Sequence, residues 1–286
     1  MANANAGPDG AAPPLAPSRE GSPFASGAGR RVADVVYIVT PVLACAIAWE
    51  VIARSSGLPK VLFPPLEDIF RALGKMVVEG TLLRDLQATF ARLAVSVVIG
   101  AAVGTVLGAL MGSVRAWERA FVGPINFLLA VPGTALFPLA MMWFGLSEKT
   151  ILSILVYEVA LTVTANTWTG VKSIDLSLIR AGRAFGASGP SMFWRVLFPA
   201  ALPSIITGYR LAFSRAWRIL IVAEMLVSAA AGLGYRLYWA RELFQTDVVY
   251  AGLLVVGTAG LLLERVVLRT LEKVTVERWG TVRVLE

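Results

Sequence analysis

Between residues 202 and 228 an apolar stretch carries four charges, Arg210, Arg215, Arg218 and Glu224, together with Ser214 and Trp217. Arg210, Trp217 and Glu224 recur every seven residues with Ser214 between them, so on a helix these four share a face, while Arg215 and Arg218 point elsewhere. A second apolar stretch, 150–171, holds one carboxylate, Glu158. Counted at about 1.5 Å per residue from the ends of the two stretches, Glu158 and Arg218 come to the same depth. Two chemistries fit. Either Glu158 neutralises Arg218 or Arg215 and fixes two helices together, or some of Glu158, Arg210, Ser214, Trp217, Arg218 and Glu224 line a path for a small anion. A guanidinium offers a planar, two-pronged fit to a carboxylate, sulfonate or nitrate. Glu224, near the end of its stretch, could instead close a gate or contact a partner.

These charges matter because of what surrounds them. Of 286 residues, 57% are hydrophobic and 16% charged, with a mean hydropathy of +0.70; soluble domains carry about 25% charge. Runs of about twenty apolar residues cross a hydrocarbon core roughly 30 Å thick. Six spans are expected, at about 32–53, 93–111, 121–146, 150–171, 202–228 and 248–267, which makes an all-α membrane protein. A polar, amphipathic stretch separates the first two. Residues 1–29, rich in Ala, Gly, Pro and Ser, read as a disordered tail, and 271–286 as a charged one. An even number of spans puts both termini on one side. More Lys and Arg fall on that side than on the other, so both termini are expected in the cytoplasm. The net charge of +7 then reflects orientation in a lipid bilayer. No basic run with interleaved aromatics points to nucleic acid.

The sequence also limits the chemistry. It contains no histidine and one cysteine, Cys45, so the commonest metal ligand and general base is missing, as is any intramolecular disulfide. No catalytic residue and no metal site are expected. A phosphate cradle needs Gly-x-x-x-x-Gly-Lys-Ser/Thr, and no such run exists; Lys149-Thr150 follows Glu148. Gly100, Gly104, Gly108 and Gly112 form a four-residue ladder along one helix face. Such a ladder lets another helix approach closely, within the subunit or across a dimer; pore lining is the other reading. Pro124, Pro132 and Pro138 are expected to kink or interrupt the third span.

Between the fourth and fifth spans, 175–199 gathers arginines, glycines and prolines. Asp175 or Ser177 can cap a short helix that Gly186 ends, and Gly189-Pro190 breaks the chain before a second helical turn or two. Small residues at the bend, Ala181, Gly182, Gly186 and Ala187, suit close docking of another protein, with Arg183 and the apolar Phe185 as further candidates. This segment resembles the cytoplasmic loop of permease subunits in ABC importers, whose pattern is Glu-Ala-Ala, three residues, Gly, nine residues, Ile-x-Leu-Pro. Here the positions read Arg180-Ala181-Gly182, Gly186 and Val196-Leu197-Phe198-Pro199, with Arg180 standing where the family has Glu. "FPPLEDIFRAL", "GLSEKTI", "NTWTGVKSID", "AEMLVSAAAGLG" and "ERW" resemble the nitrate, sulfonate, taurine and bicarbonate branch of that family.

The resemblance implies a type I permease domain over about 30–270, paired in a two-fold dimer in a bacterial inner membrane. It implies two cytoplasmic ATPase subunits that bind ATP and Mg, docked on the 175–199 coupling loop, and a periplasmic binding protein that delivers substrate. The chain would hold no cofactor of its own. An ion-coupled secondary transporter is the alternative, served by Glu158, Glu224 and the interrupted third span.

Overall fold

The computed structural model describes residues 27–55, 57, 59–227 and 230–265, and every regular element in it is helical. The chain divides into two compact units, 1–55 and 56–286. The first contains one described helix, α1 (Gly27–Ser55), which holds the predicted first span and includes Pro41. Residues 27–29, expected in the tail, already belong to α1. The remainder of that tail, the tail at 271–286 and the last two residues of the predicted sixth span lie outside the described residues.

The second unit begins with α2 (Leu66–Val78), whose Ile69, Ala72 and Met76 are buried at helical spacing. It continues with α3 (Thr81–Ser113), α4 (Arg115–Ala130), α5 (Phe137–Phe144), α6 (Glu148–Lys172), α7 (Leu176–Ala184) and α8 (Gly189–Met192). Then come α9 (Phe198–Val227), α10 (Leu233–Glu242) and α11 (Thr246–Leu263). Four stretches are long and apolar enough to cross a membrane: α3, α6, residues 189–227 and α11. The bent pair α4–α5 makes a fifth among the described residues.

One element differs from expectation, and the third span is interrupted as expected. The predicted second span is the far part of a 33-residue helix whose first turns are polar, because Asp85, Thr89 and Arg92 face inward and are satisfied there. The third span is two helices meeting at 88° across a 3-10 turn, Gly133–Leu136. Pro132 cannot donate a helical hydrogen bond and Pro138 sits in the first turn of α5, so the chain turns between them.

Helix α6 is the axle of the unit. Ile151, Leu155, Val159 and Val163 are fully buried, with α3 on one side and α9 on another. The glycine ladder sets the α3–α6 approach. A Cβ on Gly100 would stand 2.6 Å from Val159 Cβ, one on Gly104 2.5 Å from the Ala160 carbonyl oxygen, and one on Gly108 2.6 Å from that of Thr164. Gly112 meets Val171 in the same way. On the other side Gly208 of α9 abuts Asn166. Lipid tails are as apolar as Leu, so van der Waals contact between closely spaced backbones holds such helices together.

Candidate coupling loop and membrane-depth polar sites

At one end of α6 and α9 the chain forms an exposed helical hairpin. The Asp175 carboxylate accepts from the Ser177 N–H at 2.7 Å and caps α7. That bond holds the Asp175 carboxyl below its usual range. The native pKa is therefore below the unfolded one, so the cap contributes above the ordinary aspartate range, near about 3.9, and is lost as pH falls through the lower native value. The amide-exchange protection factor at Ser177, taken against the intrinsic rate at each pH, should fall on acidification through that window, and in Asp175→Ala at neutral pH.

Helix α7 ends in a Schellman arrangement. The Ala187 N–H donates to Gly182 O and the Gly186 N–H to Arg183 O, both at 2.9 Å, with Gly186 at φ +79°. Gly182 packs inward: a Cβ there would lie 3.0 Å from Val196 and 3.3 Å from Met192. Ser188 and Ser191 cap each other at the start of α8. A wide π-helical turn, Phe193–Leu197, then feeds directly into α9, where Pro199 lies in the first turn. Arg180, Ala181, Arg183 and Gly186 are exposed, Ala187 and Pro199 half-buried. Phe185, 93% exposed, stands out at the tip, and Leu178 and Trp194 of the hairpin are exposed as well.

At the opposite end of α6 and α9 lies a buried polar cluster. Glu224 is fully buried and accepts from Thr89 Oγ1 at 3.0 Å, Arg92 Nη1 at 2.5 Å and the Gly234 N–H at 2.9 Å. Arg92 forks onto Glu148 at the start of α6, through Nε at 2.6 Å and Nη2 at 2.5 Å, and also donates to the Ala231 carbonyl. Asp85 accepts from the Gly232 N–H at 3.1 Å and from Arg236 Nε at 2.8 Å. Thr89 Oγ1 in turn accepts from the Leu233 N–H. At the start of α10 the amides of Gly232 and Gly234 thus point at carboxylates and that of Leu233 at a hydroxyl, where a helix N-terminus favours negative charge. The glycines are required: Gly232 has φ +143° with the Glu224 carboxylate against its α-carbon, and a Cβ on Gly234 would press on Glu224.

Between the two ends, Ser214, Trp217 and Arg218 line a groove of about 370 Å³ with Gly257, Gly260 and Glu264 of the α11 end. Trp217 stacks on Phe90 with ring centroids 5.9 Å apart. Glu158 lies half-buried on α6 against Gly133, at the α4–α5 break.

Residues 102–274, which include the hairpin, α6 and α9, match the profile of the family described as "Binding-protein-dependent transport system inner membrane component". The chain belongs to this family of ABC permeases.

Among similar proteins, the aliphatic sulfonates transport permease SsuC of Escherichia coli is 37% identical over 74% of this permease and 80% of its own length. An ABC transporter permease of Methanocaldococcus jannaschii is 34% identical over 81% and 87%. The taurine transport system permease TauC of E. coli is 31% identical over 76% and 80%. In fold, the permease resembles a chain of the MetNI methionine ABC transporter in an inward-facing conformation, with TM-score 0.55 and 21% identity over 67% of this chain and 96% of that one.

The structure separates residues that the sequence placed together. Of the three residues at seven-residue spacing, Glu224 is locked in the cluster and Trp217 is buried, while Arg210 is exposed. The pairing of Glu158 with Arg218 is not formed: Arg218 is exposed and its Nε donates to the Ser214 carbonyl at 3.1 Å. Equal depth along two helices does not fix which way each side chain faces. Reading the sequence missed Asp85, Thr89, Arg92, Glu148 and Arg236. Asp85, Thr89, Arg92 and Ser96, all buried, follow each other at four, three and four residues, so a polar stripe on one helix face was there to be found.

Proposed function

We propose that this permease is the membrane subunit of an ABC importer for a small sulfonate-type organic acid. A periplasmic binding protein delivers the solute, and two cytoplasmic ATPase subunits drive two copies of the chain. The observation that carries the reading is the hairpin Asp175–Pro199: a rigidly capped element that holds Phe185 93% exposed between Arg183 and Gly186. A solvent-exposed Phe held on a Schellman turn is suited to insertion into a partner's cleft. The names of SsuC and TauC support the solute class.

In this reading both termini are cytoplasmic, and the hairpins receive the ATPases. ATP and Mg bind in those partners. Closure of the ATPases draws the hairpins together and turns the path outward; hydrolysis resets it. Arg210, Ser214, Trp217 and Arg218 remain candidates for the path.

The test is purification from the native membrane in mild detergent, followed by an ATPase assay. A stoichiometric ATP-hydrolysing subunit is expected with the parent chain. Phe185→Asp should lower its recovery at least about tenfold, the effect of losing a central aromatic anchor. A bulky replacement of Gly186 should do the same by straining a left-handed backbone position. A permease that purifies alone and couples solute to proton movement would overturn the reading.

A further inference from the structure

Between the end of α3 and the hairpin lies a groove of about 980 Å³. Its walls are apolar, with Val106 and Leu110 on α3 and Met192, Phe193, Leu197 and Phe198 across from them. From Ser113, the last residue of α3, to Thr105 it runs about 12 Å along the helix at 1.5 Å per residue. Its inner end therefore lies along the part of α3 that crosses the hydrocarbon, out of reach of a soluble partner at the hairpin tip. The two polar side chains that α3 contributes need no ligand. Thr105 Oγ1 shares a hydrogen bond with the Tyr209 hydroxyl at 2.8 Å, and Ser113 Oγ donates to the Ala109 carbonyl at 2.6 Å. The groove thus suits a hydrocarbon chain better than water. Its rim is basic. Among the described residues one ionisable side chain lines it, Arg183, which is exposed and makes no ion pair. Exposed Arg115 and Arg195 are the chain neighbours of the lining residues Val114 and Trp194. Trp194, 64% exposed, packs on Phe193 and Phe198 with ring centroids 5.1 and 5.3 Å away. Tryptophan favours the level at which headgroups meet hydrocarbon.

We propose that this groove binds one anionic phospholipid from the leaflet on the hairpin's side, with its phosphate on Arg183 and an acyl chain running inward along α3 towards Thr105. A guanidinium meets a phosphate through two parallel charge-assisted hydrogen bonds, and basic pockets between membrane helices hold such headgroups. The tail exchanges one apolar surrounding for another, so the selectivity resides in the headgroup. The lipid fills the space between α3 and the hairpin, and the hairpin rests on lipid as well as on protein. The inference goes beyond the importer reading and needs only that α3 and residues 189–227 cross a membrane.

The test uses the full chain in mixed detergent–lipid micelles with a trace of phosphatidylglycerol that carries a diazirine midway along one acyl chain. Irradiation followed by peptide mass spectrometry should place adducts on residues 105–110 and 192–198. At matched mole fraction, unlabelled phosphatidylglycerol should compete about fivefold better than phosphatidylcholine with the same chains, the effect of one arginine on an anionic headgroup. Arg183→Gln should remove that preference, and Arg183→Lys should keep most of it, because the charge remains. Val106 is 62% exposed, so Val106→Trp adds bulk to the groove and not to the core. That variant should suppress the adducts on 105–110.

Equal competition by the two lipids, or a preference unchanged in Arg183→Gln, would overturn the proposal. So would adducts confined to the outward stretch Val95–Ile99 and to α11, the pattern of annular lipid only. Absence of adducts on 105–110 in the parent would mean that a second copy or another protein covers the groove, and would overturn it as well. Should Arg183→Gln fail to fold, the competition on the parent and the Val106→Trp map decide. The importer reading fails separately, through the missing ATPase, and leaves these yields untouched.

Discussion

Replacing Arg92 by methionine should destabilise the permease by about 3–5 kcal/mol, the cost of stripping one partner from a buried ion pair. Glu224 would then sit fully buried without its cationic partner, held by one hydroxyl and one amide. The Ala231 carbonyl would also lose its donor. Glu148 should matter much less. Its side chain is 54% exposed, so water replaces much of what Arg92 supplies, and Glu148→Gln should cost under about 1 kcal/mol. Glu224→Gln should fall between the two, since an amide can still accept from Thr89 and Gly234. Thermal unfolding in one detergent, with the three variants side by side, checks the order. Equal effects for Arg92→Met and Glu148→Gln would mean that Glu224 is not the partner that matters.

The second large effect is expected at the glycine ladder. A Cβ at Gly104 would stand 2.5 Å from the carbonyl oxygen of Ala160 and 2.7 Å from Val163 Cβ. The first obstacle is backbone, which has no rotamer to retreat into, so α3 must move away from α6. Gly104→Ala should cost about 1–3 kcal/mol, and Gly104→Leu should prevent the two helices from pairing at all. Gly123 on α4 is the control, because a Cβ there meets nothing within 4 Å. Gly123→Ala should be neutral or stabilising by up to about 1 kcal/mol, through helix propensity and a less flexible unfolded chain. Expression level and melting temperature separate the two sites. Similar losses at both would contradict the packing described.

Why the glycine ladder could be found from sequence while the polar cluster was overlooked is a matter of range. A four-residue period of glycines within one helix is local information, and close packing is nearly the only thing it can mean. Asp175 and Gly186 are equally local, because a cap and a left-handed helix end each depend on a few neighbouring residues. The partners of Glu224 are 135, 132 and 10 residues away, and two of them sit where polar residues commonly flank a span. Composition there predicts water, and only the fold shows that this end of α3 is covered by the start of α10. Glu158 illustrates the same limit from the other side. Its depth was readable, but its direction depends on a break in another helix that places Gly133 beside it.

Residues 189–227 form one continuous helical rod of 39 residues, about 58 Å long at 1.5 Å per residue. One end is the exposed hairpin, and the other is bolted through Glu224 to α3 and α10. A beam clamped at one end and free at the other has its largest travel at the free end. A tilt of about 5° sweeps the hairpin through roughly 5 Å while Glu224 stays in place. The π-helical turn at Phe193–Leu197 and Pro203 lie near the free end, where a helix bends most readily. A push on the hairpin can therefore be taken up by flexing there before it reaches the clamp, so the stiffness of those two turns sets how much of any such push arrives at Glu224.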